Sequence, residues 1–157
     1  MEEGKNFKLI AHALIKIEGK YLIIRRTKIK RGKLNSLPEY WDIPGGMVEV
    51  GEIPKDAAIR ETKEEVNLDI TIGPILHEDS NYDKEKGTVF IRIVYQAELL
   101  EGQDERNIIL QKDEHSEYML VSDISSIEKI VDYLEDTINH ANIYNLGFKY
   151  LSERLER

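Results

Sequence analysis

The chain contains no cysteine among its 157 residues. Disulfide bridges, zinc–thiolate centres and catalytic thiols are therefore excluded. Long hydrophobic runs are also missing, since no apolar segment approaches the roughly 18 residues of a membrane-spanning helix. The N-terminal sequence MEEGKNFK has neither the basic start nor the apolar core of a secretory signal. We therefore expect a cytoplasmic protein without a membrane partner.

Basic residues are the minority of the charged side chains. The chain has 22 Lys and Arg against 30 Asp and Glu, for a net charge of −8. This balance disfavours broad, non-specific binding to nucleic acids. It leaves room for a phosphate ligand, because a metal ion or a few local Arg and Lys residues can reverse the sign of the potential at a site. The length suits one domain, which we expect to span residues 1–157.

Acidic residues stand at helical spacing within the stretch 46–68, GMVEVGEIPKDAAIRETKEEVNL. Pro54 opens a segment without further Pro or Gly, which predicts a helix. Glu61, Glu64 and Glu65 then fall at i, i+3 and i+4, so three like charges share one side and repel one another. The spacing alone allows two interpretations, a solvated acidic face or a set of carboxylate ligands for a divalent cation.

The whole stretch resembles the Nudix box, G-x5-E-x7-R-E-U-x-E-E-x-G-U, in which U is an aliphatic residue. The chain departs from this pattern at Thr62, where an aliphatic residue is usual, and at Asn67, where a second Gly is usual. Both departures concern packing and the helix end, and the charged positions are intact. The matching residues are Gly46, Glu52, Arg60, Glu61, Glu64, Glu65 and Leu68.

The resemblance implies a metal centre within a Nudix-type α/β/α sandwich around a mixed β-sheet, an α+β fold. In this family the box carboxylates hold Mg²⁺, with Mn²⁺ as an alternative, so Glu61, Glu64 and Glu65 become the expected ligands. A backbone carbonyl of Gly45 is expected to join them. Gly46 has no Cβ, so it would let backbone approach the substrate closely.

The resemblance also assigns catalytic roles for hydrolysis by water attack at phosphorus. Glu65 is the expected principal catalytic position, together with Glu64. Arg60 is expected to orient the box carboxylates through an ion pair with Glu52 or Glu61, which makes Glu52 a structural member of the box.

Strands come first and in pairs, one helix is inserted, and helices close the chain, which indicates an α+β fold and not alternating βαβ units. Strands are predicted at 7–17, 21–26 and 88–100, and the segment 79–87 is predicted as a turn. Apolar residues at helical spacing predict a C-terminal helical segment over about 123–155, with a break at 145–147. A long strand and this segment are compatible with a homodimer.

Substrate contacts are expected outside the box. Arg26 ends a strand and is a candidate anion contact, and the loop 27–39 carries the main basic cluster of an acidic chain. Nudix chains often have an acidic stretch before their last strand, and here Glu114 is the expected base or additional metal ligand, ahead of Glu117. His115 is expected to be structural or exposed.

The predicted function is Mg²⁺-dependent hydrolysis of a pyrophosphate bond in a nucleoside triphosphate or a related nucleoside diphosphate derivative. ADP-ribose, nucleotide sugars and dinucleoside polyphosphates are alternative substrates. The absence of cysteine argues against the isopentenyl diphosphate isomerase branch, which relies on one. A second class of function is a catalytically silent Nudix domain that senses a nucleotide, although such regulators usually lose the box carboxylates.

Overall fold

The computed structural model describes residues 6–155, with the backbone alone for 147–153 and 155. The described chain contains a mixed sheet, a small hairpin and two long helices. In chain order the elements are β1 (Phe7–Ile17), β2 (Lys20–Arg26), β3 (Ile29–Lys30), β4 (Lys33–Leu34), β5 (Trp41–Asp42), β6 (Gly45–Met47), α1 (Pro54–Val66), β7 (Ile70–Asp83), β8 (Thr88–Leu99), a 3-10 turn (Glu105–Asn107), β9 (His115–Val121) and α2 (Asp132–Leu155).

Strand β1 is the centre of the sheet. It pairs in parallel with β8 along most of its length, and β7 continues the sheet as the antiparallel neighbour of β8. On the other side β2 pairs antiparallel with β1, and both β5 and β9 pair with β2. The short β6 pairs with residues 10–12 of β1, so its Gly45 lies opposite His12. This register fixes the two glycines against the middle of the most buried strand.

The two faces of the sheet carry different helices because side chains alternate along a strand. Ala11, Ala13 and Ile15 of β1 pack in one apolar cluster with Ala57 and Ala58 of α1. Residues of the opposite face pack in a second cluster with α2. The predicted α/β/α sandwich around a mixed sheet is therefore confirmed. The second cluster includes Leu14, Ile23, Trp41, Leu134 and Ile138.

Helix α1 begins and ends as its sequence predicts. Ile53 provides no side-chain cap, and Pro54 occupies the first turn, where its missing N–H costs nothing. Asn67 ends the helix in the left-handed conformation at φ 63°, and its N–H donates to the Lys63 carbonyl. Thr62 is fully buried, and its hydroxyl has no hydrogen-bond partner among the described residues. The box position that is usually aliphatic is therefore occupied by a residue whose buried hydroxyl makes no hydrogen bond to the described residues.

Three predictions of secondary structure were wrong. Residues 79–83 continue β7 instead of forming a turn, because each pairs with β8 beyond register shifts around Pro74. Helix α2 starts at Asp132, not near 123. Ile130 forms a bridge with Trp41, and the Val131 N–H donates to the Trp41 carbonyl, so this segment is held extended beside β5.

Helix α2 then runs through the predicted break at 145–147 without interruption. A single glycine inside a helix costs about 1 kcal/mol relative to Ala, which is too little to end it. Among the described residues, neither helix is long and apolar enough to cross a membrane.

Candidate functional site

A polar cavity of about 340 Å³ lies where α1, β6 and the start of β9 meet. It combines acidic side chains with basic ones, as a site for a metal-bound anion requires. A larger groove of about 440 Å³ runs beside α2, but its lining has acidic and neutral residues only, which suits a polyphosphate poorly. The smaller cavity is lined by Arg26, Lys30, Asn35, Gly45, Gly46, Met47, Glu61, Glu65, Glu114 and His115.

The glycine pair sets the distance between β6 and α1. The Gly45 N–H donates to Glu65 Oε2 at 2.9 Å. A Cβ on Gly46 would lie 2.7 Å from the Glu61 carboxyl group, and a Cβ on Gly45 would lie 2.5 Å from the Ala11 carbonyl oxygen. Real Cβ atoms essentially never lie this close to another heavy atom. Only glycine lets the backbone pass this close to the two carboxylates.

Burial and negative neighbours raise the pKa of two carboxylates of α1, those of Glu61 and Glu65. Burial raises the pKa of Glu65 well above its usual range, and the charges of Glu61, Asp42 and Glu114 act in the same direction against the Gly45 hydrogen bond. Burial also raises the pKa of Glu61, although contacts with Arg60 oppose it. A bound cation would relieve both effects, because it favours the charged form of each carboxylate.

Arg60 holds the box together from outside the cavity. Its Nε and Nη2 donate to the two oxygens of Glu52 at 2.8 and 2.9 Å, and its Nη1 donates to Glu61 Oε1 at 3.0 Å. Hydrogen bonds from Arg60 lower the pKa of Glu52 to about 2. The expected ion pairs with Glu52 and Glu61 are therefore present. A two-pronged guanidinium contact of this kind fixes orientation as well as charge.

Glu64 is placed differently from the other two carboxylates of the helix. Its side chain is 52% exposed, and its Oε2 lies 3.4 Å from Arg60 Nη1. It does not contribute to the lining of the cavity. Its role as a metal ligand stays a prediction, and that role requires the side chain to turn from Arg60 toward Glu61 and Glu65.

The acidic stretch before β9 contributes Glu114 rather than Glu117. Glu114 lines the cavity, and its Oε1 lies 2.9 Å from Lys30 Nζ of the hairpin. Glu117 is 53% exposed and faces Arg25 at 3.6 Å, and it is not part of the cavity lining. The geometry therefore favours Glu114 over Glu117 as the candidate base or additional metal ligand.

His115 is buried in the cavity wall. The sequence had predicted this residue to be structural or exposed. Burial lowers its pKa to about 4, so the imidazole is neutral near pH 7. Its Nδ1 is buried and has no hydrogen-bond partner among the residues described. Donor atoms of Glu65, Glu114 and His115 lie within 4.8 Å of one another. The carboxylate oxygens of Glu65 and Glu114 in this group fit a hard divalent cation such as Mg²⁺ or Mn²⁺.

Arg26 lies at the basic side of the cavity and is held by a buried carboxylate. Its Nη1 is 3.3 Å from Asp42 Oδ2, and its Nη2 is 3.3 Å from Asn35 Oδ1. Asp42 also accepts hydrogen bonds from the Ile43 N–H and the Tyr133 hydroxyl. Sequence reasoning missed Asp42, although a charged residue between Trp41 and an apolar Ile43 in a strand is the available signal.

We expect Tyr133→Phe to lower the free energy of unfolding by about 1–3 kcal/mol, because the buried Asp42 loses one of its hydrogen-bond donors. Chemical denaturation of both proteins measures the difference. Tyr82→Phe, on an exposed part of β7, is the matched control and should change stability little. Equal effects of the two substitutions would show that the Asp42 contact contributes nothing.

Comparison with known proteins agrees with this architecture. The family model of the NUDIX domain matches residues 8–143. The ADP-ribose pyrophosphatase of Methanocaldococcus jannaschii is 30% identical over 105 residues, which are 63% of this chain and 59% of that relative's length. The crystal structure of a MutT protein from Methanosarcina mazei Go1 covers 92% of this chain and 99% of its own, with a TM-score of 0.68 and 26% identity.

A MutT NUDIX hydrolase from Burkholderia pseudomallei has the same fold at 20% identity, with a TM-score of 0.69 over 86% of this chain and 98% of its own. The matched family model extends from β1 into α2 and so includes every residue that lines the cavity. The chain therefore belongs to the NUDIX domain family.

Proposed function

We propose that the protein is a Mg²⁺-dependent pyrophosphohydrolase of nucleoside diphosphate derivatives. One observation carries the proposal: the cavity has carboxylates on one wall, from Glu61 and Glu65, and basic side chains on another, from Arg26 and Lys30. Carboxylates can hold a divalent cation, and the basic groups can hold phosphate oxygens. The pairing of both within one small cavity suits a pyrophosphate group bound together with its metal ion.

Each residue has a distinct part in the reaction. Glu61 and Glu65 would hold the cation, with Glu64 and the Gly45 carbonyl as further ligands. When bound, the cation neutralises phosphate charge and lowers the pKa of water. Glu114, which lines the cavity, would accept the proton of the attacking water. Arg60 does not touch the reacting atoms and acts as a positioning residue through Glu61.

Two substrates have particular support. A nucleoside triphosphate is one candidate, because Arg26 and Lys30 line the cavity and can supply positive charge to its phosphates. ADP-ribose is the second candidate, because it is the substrate in the name of the relative from Methanocaldococcus jannaschii. The intact box carboxylates argue against a silent nucleotide sensor.

The proposal is tested by incubating the protein with nucleoside triphosphates, ADP-ribose, nucleotide sugars and dinucleoside polyphosphates, with Mg²⁺, with Mn²⁺ and with EDTA. We expect turnover that requires the cation and yields a nucleoside monophosphate from at least one class. Product identification then shows which bond is cut. Tight binding of a nucleotide without turnover in every class would favour the sensor.

Lys30 offers a separate prediction, since its ammonium group lies beside Glu114 where cation and substrate would enter. In Lys30→Ala, we expect divalent-cation affinity to rise several-fold because Glu114 loses a competing positive charge. The KM for the nucleotide should rise about tenfold, as expected for the loss of one charge-assisted contact with a phosphate.

Mn²⁺ titration by electron paramagnetic resonance and steady-state kinetics measure these two opposite effects. Lys33→Ala, on the same hairpin but exposed, is the matched control and should change neither value. A purely structural role of Lys30 would lower cation affinity or leave it unchanged.

A further inference from the structure

A second group of potential metal ligands lies outside the cavity, where β7 meets α2. One donor atom from each of His77, Asp136 and His140 lies within 4.8 Å of the others. His77 comes from the strand, and the other two residues stand one helical turn apart on α2. None of the three lines the cavity at the Nudix box. Two imidazoles and a carboxylate are a donor set suited to a transition metal such as Zn²⁺.

One nitrogen of each imidazole contacts an acceptor. His77 Nε2 lies 2.5 Å from Asp79 Oδ2, and His140 Nδ1 lies 2.8 Å from the Leu76 carbonyl oxygen. The Asp79 contact fixes the tautomer of His77 and turns its Nδ1 inward, as the outer partner of a metal-binding histidine does. His140 would have to release the Leu76 carbonyl before its Nδ1 could bind an ion.

The inner side of His77 shows why a cation is needed there. With the Nε2 proton directed to Asp79, a neutral His77 presents a lone pair at Nδ1. That lone pair lies 2.7 Å from another acceptor, Asp136 Oδ2. Either a proton or a metal ion must occupy the space between them. The same Asp136 oxygen is 3.7 Å from His140 Nδ1, so one ion can reach all three residues once that nitrogen leaves the Leu76 carbonyl.

The observed spacing is close to that of a tetrahedral ion. Ligands at about 2.0–2.1 Å from Zn²⁺ lie roughly 3.3 Å from one another. The distances of 2.7 and 3.7 Å from Asp136 Oδ2 bracket this value, so a metal ion requires the His140 ring to turn from the Leu76 carbonyl without a rearrangement of the backbone. Asp136 and His140 are about half exposed, which leaves a path for the ion and room for water as a fourth ligand.

We propose that His77, Asp136 and His140 bind a divalent transition-metal ion, with Asp79 orienting His77. The ion would link β7 to α2 at the edge of the sheet, beyond the apolar contacts made by Leu134 and Ile138. The nearest described cation is Arg92, whose Nη1 lies 3.7 Å from Asp79 Oδ1 and which stacks over Tyr133. Arg92 thus balances the charge of Asp79 and leaves Asp136 to the metal.

The test is equilibrium dialysis of the full chain against Zn²⁺ in a large excess of Mg²⁺, followed by metal analysis and thermal unfolding. We expect His140→Ala to bind one Zn²⁺ fewer per chain than the unaltered protein and to lose a Zn²⁺-induced rise in Tm. Asn139→Ala, an exposed neighbour on the same helix, should behave like the unaltered protein.

Two further variants keep the outcome unambiguous. Glu65→Gln weakens any Zn²⁺ binding at the Nudix box and should leave the His140-dependent ion in place. Asp136→Asn keeps a hydrogen-bond acceptor beside His77 but removes the anionic ligand, so it should also lose one Zn²⁺. The same Zn²⁺ content in His140→Ala, Asp136→Asn and the unaltered protein would overturn the proposal and leave a proton-linked ion pair.

Discussion

Glu65→Gln is expected to reduce cation-dependent hydrolysis by about 10³-fold while the protein remains folded. Gln keeps an oxygen that accepts the Gly45 N–H but removes the negative charge that a divalent cation requires. Charge stabilisation by a metal, and proton transfer assisted by a carboxylate, each contribute factors of this size to hydrolysis. The loss should appear mainly in kcat, because contacts from Arg26 and Lys30 to the substrate are retained.

The same substitution has a defined effect on stability. Burial raises the pKa of Glu65 in the folded protein above its value in the unfolded chain. The folded state therefore binds the proton more tightly, so the stability contributed by this group falls as pH rises from about 4.5 through the folded-state pKa. In the absence of a cation, Glu65→Gln should be at least as stable as the unaltered protein at pH 7.

The matched control for this prediction is Glu117→Gln, which removes an acid from outside the cavity. It should leave hydrolysis within about twofold of the unaltered protein, since exposed substitutions away from a site have small effects. Steady-state kinetics, with the substrate that is hydrolysed fastest in the screen described above, compares each variant with the unaltered protein. Unchanged turnover in Glu65→Gln would contradict the assignment of the metal centre to α1.

Gly46→Ala is expected to lower kcat by about 10²-fold with little loss of stability. The added Cβ would stand 2.7 Å from the Glu61 carboxyl group, which is the movable end of a side chain. The fold can therefore accommodate the methyl group by shifting the carboxylate. Displacement of a catalytic group by about 1 Å costs roughly this factor in rate.

Cation affinity separates this effect from a general loss of structure. Mn²⁺ titration should show weaker binding in Gly46→Ala, while thermal unfolding stays near that of the unaltered protein. Gly73→Ala is the matched control, because its Cβ would meet the Gln96 carbonyl oxygen at 3.2 Å and Gly73 does not line the cavity. If Gly46→Ala binds Mn²⁺ normally and turns over normally, Glu61 is not a ligand.

The site was predictable from sequence where it depends on local geometry. The bounds of α1 follow from its Pro and Asn, the close approach follows from the glycine pair, and the Arg60 ion pairs follow from the resemblance to the Nudix box. The direction of the Glu64 side chain did not follow, because i, i+3 and i+4 spacing leaves open whether the cavity or Arg60 attracts it. The rotamer of Glu64 alone determines whether its carboxylate faces the cavity or Arg60.

Contacts between distant segments account for what the sequence did not predict. Asp42 meets Tyr133, and Lys30 meets Glu114, through the arrangement of the whole sheet. The start of α2 was misplaced for the same reason, since Trp41 holds Ile130 in a bridge that a helical pattern of apolar residues does not reveal. The α+β class was recoverable because the strands come in pairs, with one inserted helix and a closing helical segment, and do not alternate with helices.

The most direct test of the metal centre is a crystal structure of the protein with Mn²⁺, using the anomalous signal to locate the ion. The account predicts a peak about 2.1 Å from carboxylate oxygens of Glu61 and Glu65, within the cavity that Gly45 and Glu114 also line. A peak confined to His77, Asp136 and His140, or none at the α1 carboxylates at saturating Mn²⁺, would contradict it.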